Sequence, residues 1–188
     1  MHDASTTDAQ TPAETRRLRA VAVAAALCLL AGPAFAQNAQ PKATAPAEVT
    51  FYGNPRSPIS GGVVIPANRA TLWTSGTVPG VADSEAAEGT RARYGDTYTQ
   101  AASVLSRIRE QLTAQGLTMK DVVYVRAYLV PDPEKEGRID MEGWSKAFGE
   151  VFGTAENPTK PARSTVGVAA LVVADWLIEL EAFAVFPE

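Results

Sequence analysis

The chain has 188 residues, 46% of them hydrophobic, and a formal net charge of −4. That is enough apolar material for one core-forming domain, and a mildly acidic balance without a basic stripe weighs against binding nucleic acid through its phosphates. A single cysteine, Cys28, excludes any disulfide within the chain.

In chain order, Arg16, Arg17 and Arg19 precede an apolar run from Ala20 to Leu30, then Gly32-Pro33 and Ala34-Phe35-Ala36. A basic region, an apolar stretch too short to span a bilayer and an A-x-A site predict a secretory signal peptide over residues 1–36, cleaved before Gln37. Arg19 stands where a twin-arginine signal prefers an apolar residue. Leu27 precedes Cys28 where a lipoprotein signal needs a small residue, so the general secretory route is expected. The expected location is periplasmic or secreted, with no membrane attachment after cleavage. Losing the leader also removes His2 and Cys28, the only imidazole and the only thiol. A mature chain without them has no Ser-His-Asp or Cys-His nucleophilic catalysis, no zinc site built on His or Cys, and no haem attachment. Its charge is unchanged, because Asp3, Asp8 and Glu14 balance the three leader arginines.

Residues 37–48 are small, polar and Pro-containing, and read as a flexible tether to a domain over residues 49–188. Val49-Thr50-Phe51-Tyr52 reads as a first strand, stopped by Gly53-Asn54-Pro55. Gly62–Ile65 and Ala70–Ser75 are two further apolar runs around Pro66-Ala67-Asn68-Arg69, which predicts a hairpin. From about Thr90 to Gln115 the period becomes helical, with Tyr94, Tyr98, Ala101, Ala102, Leu105, Ile108 and Leu112 on one stripe and Gly116 as the stop. Val122–Val130 is β-branched and aromatic, the signature of a central strand. A charged loop then leads to a second helix over roughly Asp140–Phe152, with Met141, Trp144, Phe148, Val151 and Phe152 inward and Gly153 as its cap. Two strands close the chain. The expected fold is α+β, with both helices on one face of a mixed sheet and the other face left to solvent or another subunit.

Those last strands put charge where strands usually carry apolar residues. Arg163 follows Pro161-Ala162 at the start of the first. In the second, Glu179 and Glu181 share one face while Ile178, Leu180 and Ala182 take the other. A guanidinium offers a fork of donors matched to a carboxylate or phosphate, and a carboxylate can orient or deprotonate a water. On the expectation that the two strands are neighbours, these groups form either a pocket for a small polar molecule or a structural ion pair. Thr165 faces the same side as Arg163, and Ser75 ends the third strand beside Gly76. Tyr94, Tyr98, Trp144 and Phe148 fall on helix stripes and read as core.

Four segments together carry a family resemblance: Pro161-Ala162-Arg163-Ser164-Thr165-Val166-Gly167-Val168, Ile178-Glu179-Leu180-Glu181-Ala182, Trp73-Thr74-Ser75-Gly76 and Gly116-Leu117-Thr118-Met119-Lys120-Asp121-Val122-Val123. Over residues 50–187 the chain resembles the RidA family, also called YjgF or the L-PSP endoribonuclease family. The resemblance implies a chorismate-mutase-like α+β fold, a homotrimer with ligand clefts between subunits, and cofactor-free hydrolysis of 2-imino or enamino acids to 2-oxo acids and ammonia. It implies no metal. It assigns Arg163 to the substrate carboxylate and Glu179 to the attacking water, leaves Glu181 structural, and places Ser75, Gly76, Thr165 and Ser145 around the pocket. The chain departs from the best-known members at Ser57-Pro58-Ile59-Ser60, where a pocket tyrosine is missing, at Ser145 for an asparagine and at Thr165 for a cysteine. The connection from Pro131 to Asp140 is also longer. A non-catalytic carboxylate-binding module and an endoribonuclease are the alternative readings.

Overall fold

The computed structural model describes residues 44–188. The expected leader and most of the expected tether lie outside the described residues. Two layers form: a four-stranded mixed sheet with two helices on one face, and a separate two-stranded ladder. Strand β1 (Thr50–Tyr52) pairs antiparallel with β2 (Gly62–Val64). Strand β3 (Thr71–Trp73) pairs antiparallel with β6 (Ile178–Val185), not with β2. The hairpin expected around Pro66–Arg69 therefore does not close as a ladder. Pro66 has no N–H to give, and β3 finds a longer partner in β6. The turn itself is present, with Arg69 N–H donating to the Pro66 carbonyl at 3.2 Å.

Helix α1 (Thr97–Ala114) begins later than the periodicity suggests. Gly95 takes a positive φ of 80° and Asp96 caps the first turn, its side chain accepting from Thr99 N–H at 2.8 Å. Tyr94 is thus cut off in a short 3₁₀ turn over Arg91–Arg93, stacked edge-on to Trp176. Gly116 ends α1 at a φ of 76°, as its position predicts. Strand β4 (Val122–Leu129) follows, then helix α2 (Met141–Gly149), which is shorter than expected. Val151 and Phe152 continue only as a turn whose N–H groups reach the Phe148 carbonyl. Met141, at the first position of α2, is 43% exposed and not part of the stripe that buries.

Strand β5 (Ala162–Gly167) runs parallel to β4, and β6 runs antiparallel to it on the other side, giving the order β3-β6-β4-β5. The β4–α2–β5 segment is a crossover unit, which lays β5 parallel beside β4. So the two C-terminal strands are not neighbours; β4 lies between them. The core sits between sheet and helices: Val104, Leu105, Ile108 and Leu112 of α1 and Trp144 and Phe148 of α2 meet Val125, Ala127, Leu129, Ile178, Leu180 and Ala182. Each such large side chain contributes roughly 1.5–3 kcal/mol by leaving water.

One fully buried amide ties the layers together. Gln100 on α1 donates to the carbonyls of Gly95 at 3.0 Å and Asp175 at 2.9 Å, and accepts from Leu177 N–H at 2.7 Å. This fixes the entry of β6 against the start of α1. No helix of the described residues is long and apolar enough to cross a membrane.

Candidate active site

Strand register decides which side chains can meet. Arg163 lies opposite Val125, and Thr165 opposite Ala127, both of which are buried under the helices. Side chains opposite one another in a ladder share a face, so Arg163 and Thr165 point to the helix side. Glu179 lies opposite Tyr128 and Glu181 opposite Arg126, residues that alternate with the buried Val125, Ala127 and Leu129. Both glutamates therefore point to the open side. From strand spacing and rise, the Cα atoms of Arg163 and Glu179 are roughly 14 Å apart. The expected pairing of Arg163 with Glu179 or Glu181 across adjacent strands is not formed, because an intervening strand and the sheet itself separate them.

On the helix side, the Arg163 guanidinium lies over two aromatic rings of α2, 4.6 Å from the Phe148 centroid and 5.3 Å from that of Trp144. Among the described residues no carboxylate reaches ion-pair distance of it. Burial pushes the guanidinium below its ordinary pKa, with no opposing acid to lift it. Trp144, fully buried, donates its indole N–H to Thr165 Oγ1 at 3.2 Å. Ser145, the next residue on α2, is exposed at the surface. The loop over Ser57–Ser60 is strapped to the start of β5. Ser60 Oγ donates to the Lys160 carbonyl at 2.6 Å, and Lys160 Nζ donates to the carbonyls of Pro55 and Ser57 at 3.0 and 3.1 Å.

On the open side, Glu181 pairs with Arg126 at 3.1 Å and accepts from the Tyr128 hydroxyl at 3.4 Å. Arg126 in turn lies 5.8 Å from the ring centroids of both Tyr124 and Phe183. Phe183 meets Trp73 edge-on at 4.4 Å, and Trp73 is 70% exposed. Trp73, Tyr124, Arg126 and Phe183 line a groove of about 260 Å³ with Val63 and Ile65. Glu179 has no such partner: no cation among the described residues pairs with it.

Ser75 and Gly76 form the rim beside Glu179. Thr74 N–H donates to the Ala182 carbonyl at 3.0 Å, and Thr77 exchanges both backbone bonds with Leu180 at 2.7 and 3.0 Å. Two residues thus face only Glu181, a bulge that pushes Ser75-Gly76 out of the ladder. A Cβ at Gly76 would overlap Oε1 of Glu179, so the absence of a side chain lets the carboxylate lie against the backbone. Ser75 also lines a crevice of about 430 Å³ with Trp73, Gln111 and Gln115.

The chain thus assembles two half-sites, Arg163-Thr165 on one face and Glu179-Gly76-Ser75 on the other. Sequence reasoning passed over Trp144 and Phe148 as simple core and did not single out Arg126 or Tyr128. The period of two along β4, which sets Tyr124, Arg126 and Tyr128 on one face, was the available signal for the latter pair. Among the described residues no group of three or more His, Cys, Asp or Glu could hold a metal ion.

Comparison with known proteins places this arrangement. Residues 57–186 match the family model described as Endoribonuclease L-PSP. A RutC family protein from Pyrococcus horikoshii is 37% identical over 90 residues, covering 48% of this chain and 63% of that protein, so the match spans just under two thirds of the curated relative. A solved structure of a Rid-family protein, YyfB from Yersinia pestis, superposes with a TM-score of 0.54 at 29% identity, covering 72% of this chain and 97% of that one. With two helices on one face of a mixed sheet and a model match over most of its length, the chain belongs to the Rid/YjgF family, also known as the L-PSP endoribonuclease family.

Proposed function

We propose that this protein hydrolyses small 2-imino or enamino acids to 2-oxo acids and ammonia without a cofactor. The observation that carries the reading is Arg163: a half-buried guanidinium, set on two aromatic rings, with no acid partner among the described residues. Holding an unpaired charge out of water costs free energy unless a partner arrives. A ligand carboxylate is that partner, gripped through the guanidinium fork.

Because Arg163 and Glu179 lie on opposite faces of one sheet, a single chain does not bring them to one ligand. The reading is therefore a homotrimer, with Arg163, Thr165 and Ser145 of one protomer meeting Glu179, Ser75 and Gly76 of a neighbour. The exposed Trp73 and the groove on the open face support burial of that face in an assembly. In the cleft, Glu179 takes a proton from a water as the oxygen adds to the imine carbon. It returns that proton to the nitrogen, then takes the hydroxyl proton as ammonia leaves and the carbonyl forms, and passes it to solvent. A protonated imine is already electrophilic, so positioning and one base suffice.

The test generates 2-iminopropanoate with an amino-acid oxidase and follows its loss with wild type and Arg163→Ala. Acceleration by wild type and its collapse in the variant are expected; no acceleration over a range of imino acids rejects the deaminase reading. The split of the half-sites also favours a second reading, carboxylate binding by Arg163 alone without turnover. Saturable binding with no hydrolysis, or a monomer in sedimentation, supports that instead. Ribonuclease activity has only the family description behind it in this acidic chain. Export is part of the proposal, on the strength of residues 16–36, and N-terminal sequencing is expected to begin at Gln37.

A further inference from the structure

One side chain touches both halves of the proposed carboxylate clamp. The Trp144 ring supports the Arg163 guanidinium, and its indole N–H is committed to Thr165 Oγ1 at 3.2 Å. Trp144 is completely buried and its other ring neighbour is Phe148, 5.4 Å away at a near-perpendicular angle, so the indole has one orientation available. A threonine hydroxyl has one proton to donate and lone pairs to accept. With the indole donating to the oxygen, the Thr165 proton is left to be given elsewhere. Meanwhile the ring faces stabilise the charge of Arg163 without occupying its N–H groups, as a carboxylate would.

We infer that Trp144 is a positioning residue that orients Thr165 as a second hydrogen-bond donor beside Arg163, making the pocket selective for a carboxylate. The inference deepens the carboxylate-clamp reading above and rests on it. Guanidinium and hydroxyl both present donors, so the group they accept is one rich in acceptors: the two oxygens of a 2-oxo or 2-imino acid carboxylate. Amides and amines of the same size leave at least one donor facing another donor, and are disfavoured.

The experiment uses the full-length protein and 2-oxobutanoate as the probe, with calorimetric titration of wild type, Arg163→Ala, Trp144→Phe, Thr165→Val, Thr165→Ser and the Trp144→Phe/Thr165→Val double variant. Phenylalanine keeps an aromatic ring beside Arg163 and removes the indole donor together with part of the ring. Trp144→Phe and Thr165→Val are each expected to weaken binding about tenfold, the scale of one hydrogen bond to a charged group. The double variant is expected to lose no more than the worse single, because the two act as one unit, and Thr165→Ser is expected to bind as wild type does. Independently of any ligand, Thr165→Val is expected to shift the indole N–H resonance of Trp144 and speed its hydrogen exchange. Full additivity, unchanged affinity in Trp144→Phe, or an unmoved indole resonance overturns the inference. Binding that Arg163→Ala abolishes and Trp144→Phe leaves intact overturns this inference alone. No wild-type binding at all overturns the clamp reading and this inference together.

Discussion

The carboxylate of Glu179 rests against the backbone of Gly76, in space that any Cβ at that position would occupy. Gly76 is exposed and does not adopt a positive φ, so its value lies in the room it leaves and not in its backbone freedom. Gly76→Ala is accordingly expected to leave stability within about 0.5 kcal/mol of wild type, as surface changes usually do. Because Glu179 is the proposed base, the same variant is expected to slow imine hydrolysis roughly 10²-fold, the cost of displacing a reacting group by about 1 Å. Steady-state kinetics beside a thermal melt separates the two effects. An active Gly76→Ala enzyme would show that Glu179 does not work from this position.

Arg163 carries an opposite expectation for stability and function. Its charge is held partly out of water with no acid partner among the described residues. Arg163→Met is predicted to match or exceed wild-type stability, since replacing an unpaired buried charge by an apolar side chain removes a desolvation cost. Hydrolysis is expected to fall at least 10²-fold in the same protein. Arg163→Lys keeps the charge but loses the fork, and is expected to raise KM about tenfold or more. Chemical denaturation and substrate titration on one preparation test both halves. A strongly destabilised Arg163→Met would mean that the guanidinium is structural.

Gln100 is the buried polar group whose loss should be felt most. Its three hydrogen bonds satisfy Gly95 and Asp175, both half-buried, and the buried Leu177. Gln100→Leu preserves volume and strands those backbone groups, at about 1–3 kcal/mol for each that water cannot reach. A loss of about 1–3 kcal/mol in urea unfolding is expected, most of it from the stranded Leu177 N–H. Local hydrogen exchange should rise first at Leu177, where β6 begins.

Asp96 gives a pH dependence with a definite sign. Partial burial alone would raise its pKa, but the backbone and side chain of Thr99, with help from Arg91 and Lys135, outweigh that and lower it. A carboxylate with a depressed folded pKa adds stability that is fully present above its unfolded value of about 4 and disappears as pH falls through the lower folded value. Asp96→Ala is expected to cost about 1 kcal/mol at pH 7, the usual worth of such a cap. The gap between variant and wild type should narrow as pH falls below about 4. A gap independent of pH would mean that the charge adds nothing to the cap.

Much of this fold is legible in the order of residues. The period of two along Ile178–Val185 set Glu179 and Glu181 opposite Ile178, Leu180 and Ala182, and the strand does bury the second set. The apolar run Val122–Leu129 reads as a central strand and pairs on both sides. Gly116 marks the end of α1 because few other residues take its positive φ without strain. Helix starts were less legible, since Gly95 and Asp96 overrode a stripe that Tyr94 otherwise continues.

Alternation, caps and turns are local, so the sequence by itself determined which residues along each strand share a face and which glycines end a helix. It also determined the family, through the Ala-Arg-Ser and Ile-Glu-Leu-Glu-Ala segments. Which strand lies beside which is a non-local matter, settled by the α2 crossover that sets β5 against β4 and by β6 returning on the other side. That pairing alone decided that Arg163 rests on Trp144 under the helices, while Glu179 and Glu181 face away from it. A charge pattern in a chain shows which groups are available; only packing fixes the face of the sheet on which each is spent.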